Sequence, residues 1–178
     1  DILIHVTTTR AAKLWPLNHW SALLAWCEAQ HLSVGLVGSS PAIQQEQYNS
    51  TDLETNLLAG SYLIDLRGKT SLIQLAGACK ATRAVVSVDA GPLHIAAAMG
   101  TPTLAIVGND ADGVGASPIR LWMPRSANAS RTVSSHSCAG CAELRFRNDG
   151  CVKEGHGCMA MVQPQQVIDW LRELLGAD

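Results

Sequence analysis

The feature that most constrains this chain is a repeated alternation. Apolar runs of four to six residues, bounded by Gly, Ser or Pro, are separated by longer segments whose apolar residues recur every three or four positions. Buried parallel strands read as short continuous apolar runs, and the crossovers between them read as amphipathic helices. The pattern therefore predicts an α/β fold. Strands are expected from Ile2 to Val6, Ser33 to Val37, Tyr62 to Leu66, Ala84 to Val88 and Thr103 to Val107, with a weaker sixth from Ile119 to Trp122. The first helix is expected from Leu17 to Gln30, where Trp20, Leu23, Leu24 and Cys27 form one apolar face and Pro16 suits the opening turn. Further helices are expected from Ile43 to Tyr48, Asp52 to Leu58, Ser71 to Lys80 after the cap candidate Thr70, Pro92 to Met99, and Pro164 to Leu175. Right-handed crossovers between parallel strands make a Rossmann-like doubly wound sheet the natural assembly.

Composition narrows the function classes. At 178 residues the chain fits one domain, and 47% hydrophobic against 16% charged residues describes a globular protein. With 13 basic and 15 acidic side chains there is no general electrostatic footprint for nucleic acid or an anionic membrane, so any phosphate must be held locally. Apolar stretches such as Ile95 to Met99 stop at Gly100 and Pro102, far short of the ~20 residues of a membrane span. No basic segment precedes an apolar one at the start, so no signal peptide is expected; the chain opens on Asp1 in a strand-like run, which reads as a piece of a longer protein.

In a doubly wound sheet, ligands bind beyond the carboxyl ends of the strands, near helix N-termini that attract phosphate. Three loops qualify. Thr7 to Pro16 carries three threonines, Arg10 and Lys13 and no acid, which suits a diphosphate grip or, equally, a solvated polar loop. Gly38-Ser39-Ser40-Pro41 permits close backbone approach but is by itself only a turn. Asp89-Ala90-Gly91-Pro92-Leu93-His94 is the sharpest candidate: Asp89 can accept from sugar hydroxyls, the Ala90 and Gly91 amides can face a phosphate, and His94 lies one helical turn further on. The plainer alternative is a helix capped by Asp89 with His94 packed beside it. No G-x-G-x-x-G follows the first strand, Gly68-Lys69-Thr70 lacks the upstream glycine of a P-loop, and no G-x-S-x-G elbow is present.

Cys27 and Cys79 sit in apolar helical contexts and read as core. Cys138, Cys141, Cys151 and Cys158 are spaced C-x2-C-x9-C-x6-C, which reads as a structural knuckle over residues 136–160 closing on zinc or iron, with His136 and His156 as alternative ligands; four reduced thiols without metal is the competing reading. The segment from Gly108 to Cys158, poor in apolar periodicity, is expected to be loop held by that metal.

Taken in order, Thr-Thr-Thr-Arg-x-x-Lys-x-Trp-Pro from Thr7, Gly38-Ser39, Gly68-Lys69-Thr70-Ser71-Leu72, and Ser87-Val88-Asp89-Ala90-Gly91-Pro92-Leu93-His94-Ile95-Ala96-Ala97-Ala98 resemble the C-terminal half of glycosyltransferase family 9, the ADP-heptose:lipopolysaccharide heptosyltransferases. The resemblance runs from about residue 5 to residue 107, and the cysteine tail is similar to that of many members. It implies the GT-B architecture, two Rossmann-like domains facing across a cleft, with residues 1–178 forming the domain that binds the nucleotide-sugar donor. By matching position, Thr8, Thr9 and Lys13 would hold the donor diphosphate, Lys13 stabilising charge on departing ADP. Asp89 would contact the donor sugar, Ala90 and Gly91 the phosphate, His94 would complete that motif, Thr70 would lie by the adenine, and Glu46 by the ribose. Ala90 replaces a Ser or Thr common in the family, and Gly108-Asn109-Asp110 replaces Gly-Pro-Thr. The catalytic base belongs to the family's N-terminal acceptor domain, so the expectation is a domain that binds donor without transferring it.

The resemblance thus implies the donor half of an inverting, metal-independent enzyme that passes heptose from an ADP-sugar to lipopolysaccharide core or a related acceptor on the cytoplasmic face of the inner membrane. The competing expectation is a non-catalytic Rossmann-like interaction module whose metal knuckle and exposed tryptophans mediate protein association; the resemblance, in which some members use such a finger in assembly or partner binding, also implies Arg145 and Arg147 as contact residues. Trp15, Trp20 and Trp26 are expected in the core rather than on a partner face.

Overall fold

The computed structural model describes residues 1–43, 51–108, 122–133 and 157–176. Six strands, β1 (Ile2–His5), β2 (Val34–Leu36), β3 (Ile64–Asp65), β4 (Ala84–Val88), β5 (Thr103–Val107) and β6 (Ala129–Val133), form one sheet in the order β3-β2-β1-β4-β5-β6. All neighbours run parallel. The helices are α1 (Leu17–Ala29), α2 (Thr51–Gly60), α3 (Leu72–Ala81), α4 (Gly91–Ala98), α5 (Gly157–Met161) and α6 (Pro164–Leu175). This is the Rossmann-like α/β class that the sequence predicts.

Alternation along the central strands sorts the core into two layers. Ile2, Ile4 and Val6 join Ala84, Val86 and Val88 in a cluster with Trp20, Leu23, Leu24 and Cys27 of α1 and Val167, Ile168 and Leu171 of α6. Leu3 and Val85, pointing the other way, pack with Leu75 and Cys79 of α3 and Ala96 of α4. Each fully buried Leu or Val of these layers contributes about 1.5–3 kcal/mol relative to exposure. Cys27 and Cys79 are core residues, as are Trp15 and Trp20, with Trp26 partly buried and packed against the same cluster.

The apolar runs of β4 and β5 coincide with the expected spans; β1, β2 and β3 are shorter. The sixth strand is a correction. Trp122 lies outside any strand and is 58% exposed, while Ile119 to Leu121 lie outside the described residues. The strand that pairs with β5 is Ala129–Val133, in register from Thr103 with Ala129 to Val107 with Val133. Its Ser130 and Arg131 are exposed and Thr132 is buried, as befits a sheet edge, so no continuous apolar run marks it. The segment expected to be loop thus holds β6 and the start of α5.

A second correction concerns α3. Its cap is Ser71, not Thr70: the Ser71 hydroxyl accepts from the Gln74 amide at 3.3 Å while the Ser71 amide donates to Gln74 Oε1 at 2.8 Å. This reciprocal box satisfies two donors at the helix start. In α4 the cap is Ala90, and the helix begins one residue earlier than predicted, at Gly91. The predicted helix from Ile43 is helical at 41–43 and otherwise lies outside the described residues; α6 begins and ends as predicted. Among the described residues, no helix is long and apolar enough to cross a membrane.

Candidate functional site

The strand order reverses between β1 and β4, so their crossovers leave from adjacent carboxyl ends. His5 is in register with Ser87, and the loops that follow, Thr7–Lys13 and Asp89–Gly91, open side by side. A crevice at such a switch point is the ordinary ligand site of an open α/β sheet. Here it is a cleft of about 610 Å³, bounded also by Gly38–Ser40 after β2 and by Gly68 and Thr70–Leu72 after β3. The three loops singled out from sequence, together with Gly68 and Thr70, meet in this cleft.

Its electrostatic centre is an ion pair. Lys13 Nζ donates to Asp89 Oδ2 at 2.7 Å, and both side chains are largely buried, at 14% and 12% exposure. Lys13 closes a single 3-10 turn, Ala11–Lys13, in which its amide donates to the Arg10 carbonyl at 2.9 Å and Leu14 donates to Ala11. Thr8 is buried, and its hydroxyl lies 3.5 Å from the Arg10 amide; Thr9 is exposed toward the cleft. Asp89 caps no helix, because its carboxylate faces Lys13.

The opening turn of α4 completes one wall. Ala90 and Gly91 line the cleft, and a Cβ at Gly91 would meet nothing within 4 Å. The space before this helix N-terminus is therefore open to a ligand, and its amides suit an anion. Gly68 is different: at φ +64° it brings the loops after β2 and β3 together, its amide donating to the Gly38 carbonyl at 2.9 Å, and a Cβ there would lie 2.7 Å from Ser40 Cβ. Only glycine fits that contact.

His94 is exposed at 44%, with Nε2 3.9 Å from Asp89 Oδ1, and it sits beside the cleft rather than in its lining. Glu46 lies outside the described residues. So do Cys138, Cys141, Cys151, His136, His156, Arg145 and Arg147. Cys158 is described: it is buried in α5 against Gly108, where a Cβ on that glycine would come within 2.5 Å of its sulfur. Among the described residues, no group of three His, Cys, Asp or Glu side chains is placed to hold a metal ion.

Leu72 and His5 are among the lining residues that the sequence does not single out for the site. Leu72, 74% exposed on the first turn of α3, offers an apolar surface at the cleft. His5, at the carboxyl end of β1, lies on its floor, with Nε2 3.4 Å from the Thr7 hydroxyl; burial pushes its pKa down to about 4 and keeps the ring neutral. Its place as the last residue of a central strand was the signal available.

A parallel doubly wound sheet with an open cleft at its switch point is the Rossmann-like architecture found in GT-B glycosyltransferases. Residues 1–143 match the sequence model of glycosyltransferase family 9 (heptosyltransferase), and the chain belongs to that family. Among curated proteins it is 27% identical over 173 residues to lipooligosaccharide heptosyltransferase 2 of Haemophilus ducreyi, covering 92% of this chain and 44% of that protein. It is likewise 27% identical over 165 residues to lipopolysaccharide heptosyltransferase 2 of Escherichia coli K12, covering 92% and 43%. The fold matches the E. coli ADP-heptose lps heptosyltransferase II structure with TM-score 0.69 at 23% identity, over 98% of this chain and 46% of that one. It also matches the dodecameric iron-containing heptosyltransferase TibC in complex with ADP-D-beta-D-heptose, with TM-score 0.73 at 19% identity, over 99% and 45%. The chain spans less than half the length of these relatives.

Proposed function

We propose that this chain is the donor-binding domain of an inverting heptosyltransferase that uses an ADP-sugar and a lipopolysaccharide-type acceptor at the cytoplasmic face of the inner membrane. The observation that carries the reading is the Lys13–Asp89 pair at the mouth of α4, inside a cleft formed by the loops after four strands. The donor diphosphate lies against the α4 N-terminus, within reach of Lys13 and the Thr8 and Thr9 hydroxyls. Asp89 accepts from hydroxyls of the sugar, and the base lies toward Thr70 and Leu72. Glu46 at the ribose rests on the family resemblance alone, as does the part His94 takes in the Asp89–Gly91 motif.

In the reaction, an acceptor hydroxyl attacks the anomeric carbon from the face opposite the diphosphate. The carbon–oxygen bond to the β-phosphate breaks with its electron pair going to ADP, and the acceptor proton passes to a base supplied by the acceptor domain. Lys13 and the α4 amides stabilise the negative charge that grows on the departing oxygen, which is preorganised electrostatic stabilisation. This chain supplies the leaving-group half of the chemistry.

The test is equilibrium titration with ADP-heptose, ADP, GDP and UDP. The reading expects saturable binding of the two adenine compounds and much weaker binding of the others. Equal affinity for all four, or binding of none, contradicts it.

A further inference from the structure

We infer that Trp15 is a positioning residue for Lys13 and that the α5–α6 corner holds the cationic loop in place from outside the cleft. This rests on the donor-site reading and deepens it. The Trp15 indole N–H donates to the Val162 carbonyl at 2.8 Å, a contact spanning 147 residues. Both residues are buried, and the Trp15 ring meets Trp20 edge-on at 4.8 Å between centroids. Val162 opens the corner between α5 and α6, held by its amide to Met159 at 3.2 Å. None of α5 or α6 lines the cleft, yet Lys13 is only two residues from Trp15, a leash of about 7 Å at full stretch.

Lys13 is therefore fixed at two ends. Asp89 holds the ammonium and Trp15 anchors the backbone that carries it. A bound diphosphate competes with the carboxylate for the ammonium, so the Asp89 tether weakens when the site fills. The Trp15 anchor does not face the ligand and persists. It keeps the Ala11–Lys13 turn where Lys13 meets the anion without first being ordered, which preserves affinity that loop immobilisation would otherwise consume.

The test is a double-mutant cycle read by ADP titration of the whole chain: wild type, Trp15→Phe, Lys13→Ala and the double variant, with thermal unfolding of each. Benzothienylalanine at position 15, isosteric with tryptophan but lacking the N–H, serves as the second variant should phenylalanine disturb folding. Loss of the N–H is expected to weaken ADP about threefold to tenfold when Lys13 is present and by less than twofold when it is absent. Equal weakening in both backgrounds, or unchanged affinity in the single variant while Lys13→Ala still weakens ADP, overturns this inference alone. A wild-type chain that does not bind ADP overturns the donor-site reading and this inference with it.

Discussion

Lys13 and Asp89, 76 residues apart in sequence, meet at 2.7 Å where the loops after β1 and β4 leave the sheet. The pair joins the cation that suits a diphosphate to the acid that suits a sugar, and both are largely withdrawn from water. A ligand carrying only the diphosphate must compete with Asp89 for Lys13, whereas a ligand carrying the sugar also gives the carboxylate hydroxyl partners.

Asp89→Asn therefore separates the two. Removing the carboxylate frees the ammonium and lowers the negative charge near the phosphate subsite, so ADP should bind roughly fivefold tighter, the equivalent of about 1 kcal/mol. ADP-heptose should gain less or lose affinity. Parallel titrations decide it; weaker binding of ADP by the variant would show that Asp89 supports the phosphate site rather than competing with it.

His5 gives the fold an acid-side dependence. Its folded-state pKa is depressed from 6.5 to about 4, so the unfolded chain takes up a proton that the folded chain refuses. The contribution is fully present above pH 6.5 and is lost as pH falls toward 4, amounting to ~2 kcal/mol by pH 5. Urea unfolding from pH 7 to 4.5 should show His5→Asn with a flatter pH dependence than wild type. Parallel curves for the two proteins would remove His5 from the account.

Arg67 holds the β3 edge through buried charge. It donates to Glu54, whose side chain is 0% exposed, at 2.9 Å, and to both carboxylate oxygens of Asp65 at 2.9 and 3.0 Å. Burial raises the Glu54 pKa while Arg67 opposes the shift. Arg67→Met removes the cation that faces that buried acid and should cost about 3 kcal/mol in denaturant unfolding, with Glu54→Leu/Arg67→Met recovering a substantial part of the loss. A double variant no more stable than Arg67→Met would refute the charge argument.

At the start of α3, Ser71→Ala should cost about 1 kcal/mol by removing the capping hydroxyl, while Thr70→Ala should change stability by no more than a few tenths. Chemical denaturation of the two variants distinguishes them. Equal effects would contradict the capping box at Ser71.

The central strands are legible because parallel strands buried on both faces need near-continuous apolar runs, and Ala84–Val88 and Thr103–Val107, interrupted only by Ser87 and Thr103, are such runs. β6 is not, because an edge strand buries one side at most and Ser130 and Arg131 interrupt the signal. Thr70 and Ser71 are chemically equivalent caps in sequence; only the reach of Gln74 selects Ser71. The site loops could be found from their hydroxyls, cations and Gly-Pro step, but the partnership of Lys13 with Asp89 arises from strand order, which brings β1 beside β4. The Gly68 contact with Ser40 and the Trp15 bond to Val162 are likewise products of tertiary packing.

The most direct measurement is calorimetric titration of ADP into wild type, Lys13→Ala and Lys69→Ala. Lys69 belongs to the Gly-Lys-Thr run, but its ammonium donates to the Asp65 carbonyl at 2.6 Å, and it does not line the cleft. The account predicts saturable binding by wild type, at least tenfold weaker binding for Lys13→Ala, as expected for loss of a charge-assisted hydrogen bond, and unchanged binding for Lys69→Ala. Wild-type affinity in Lys13→Ala, or an equal loss in both variants, would contradict it.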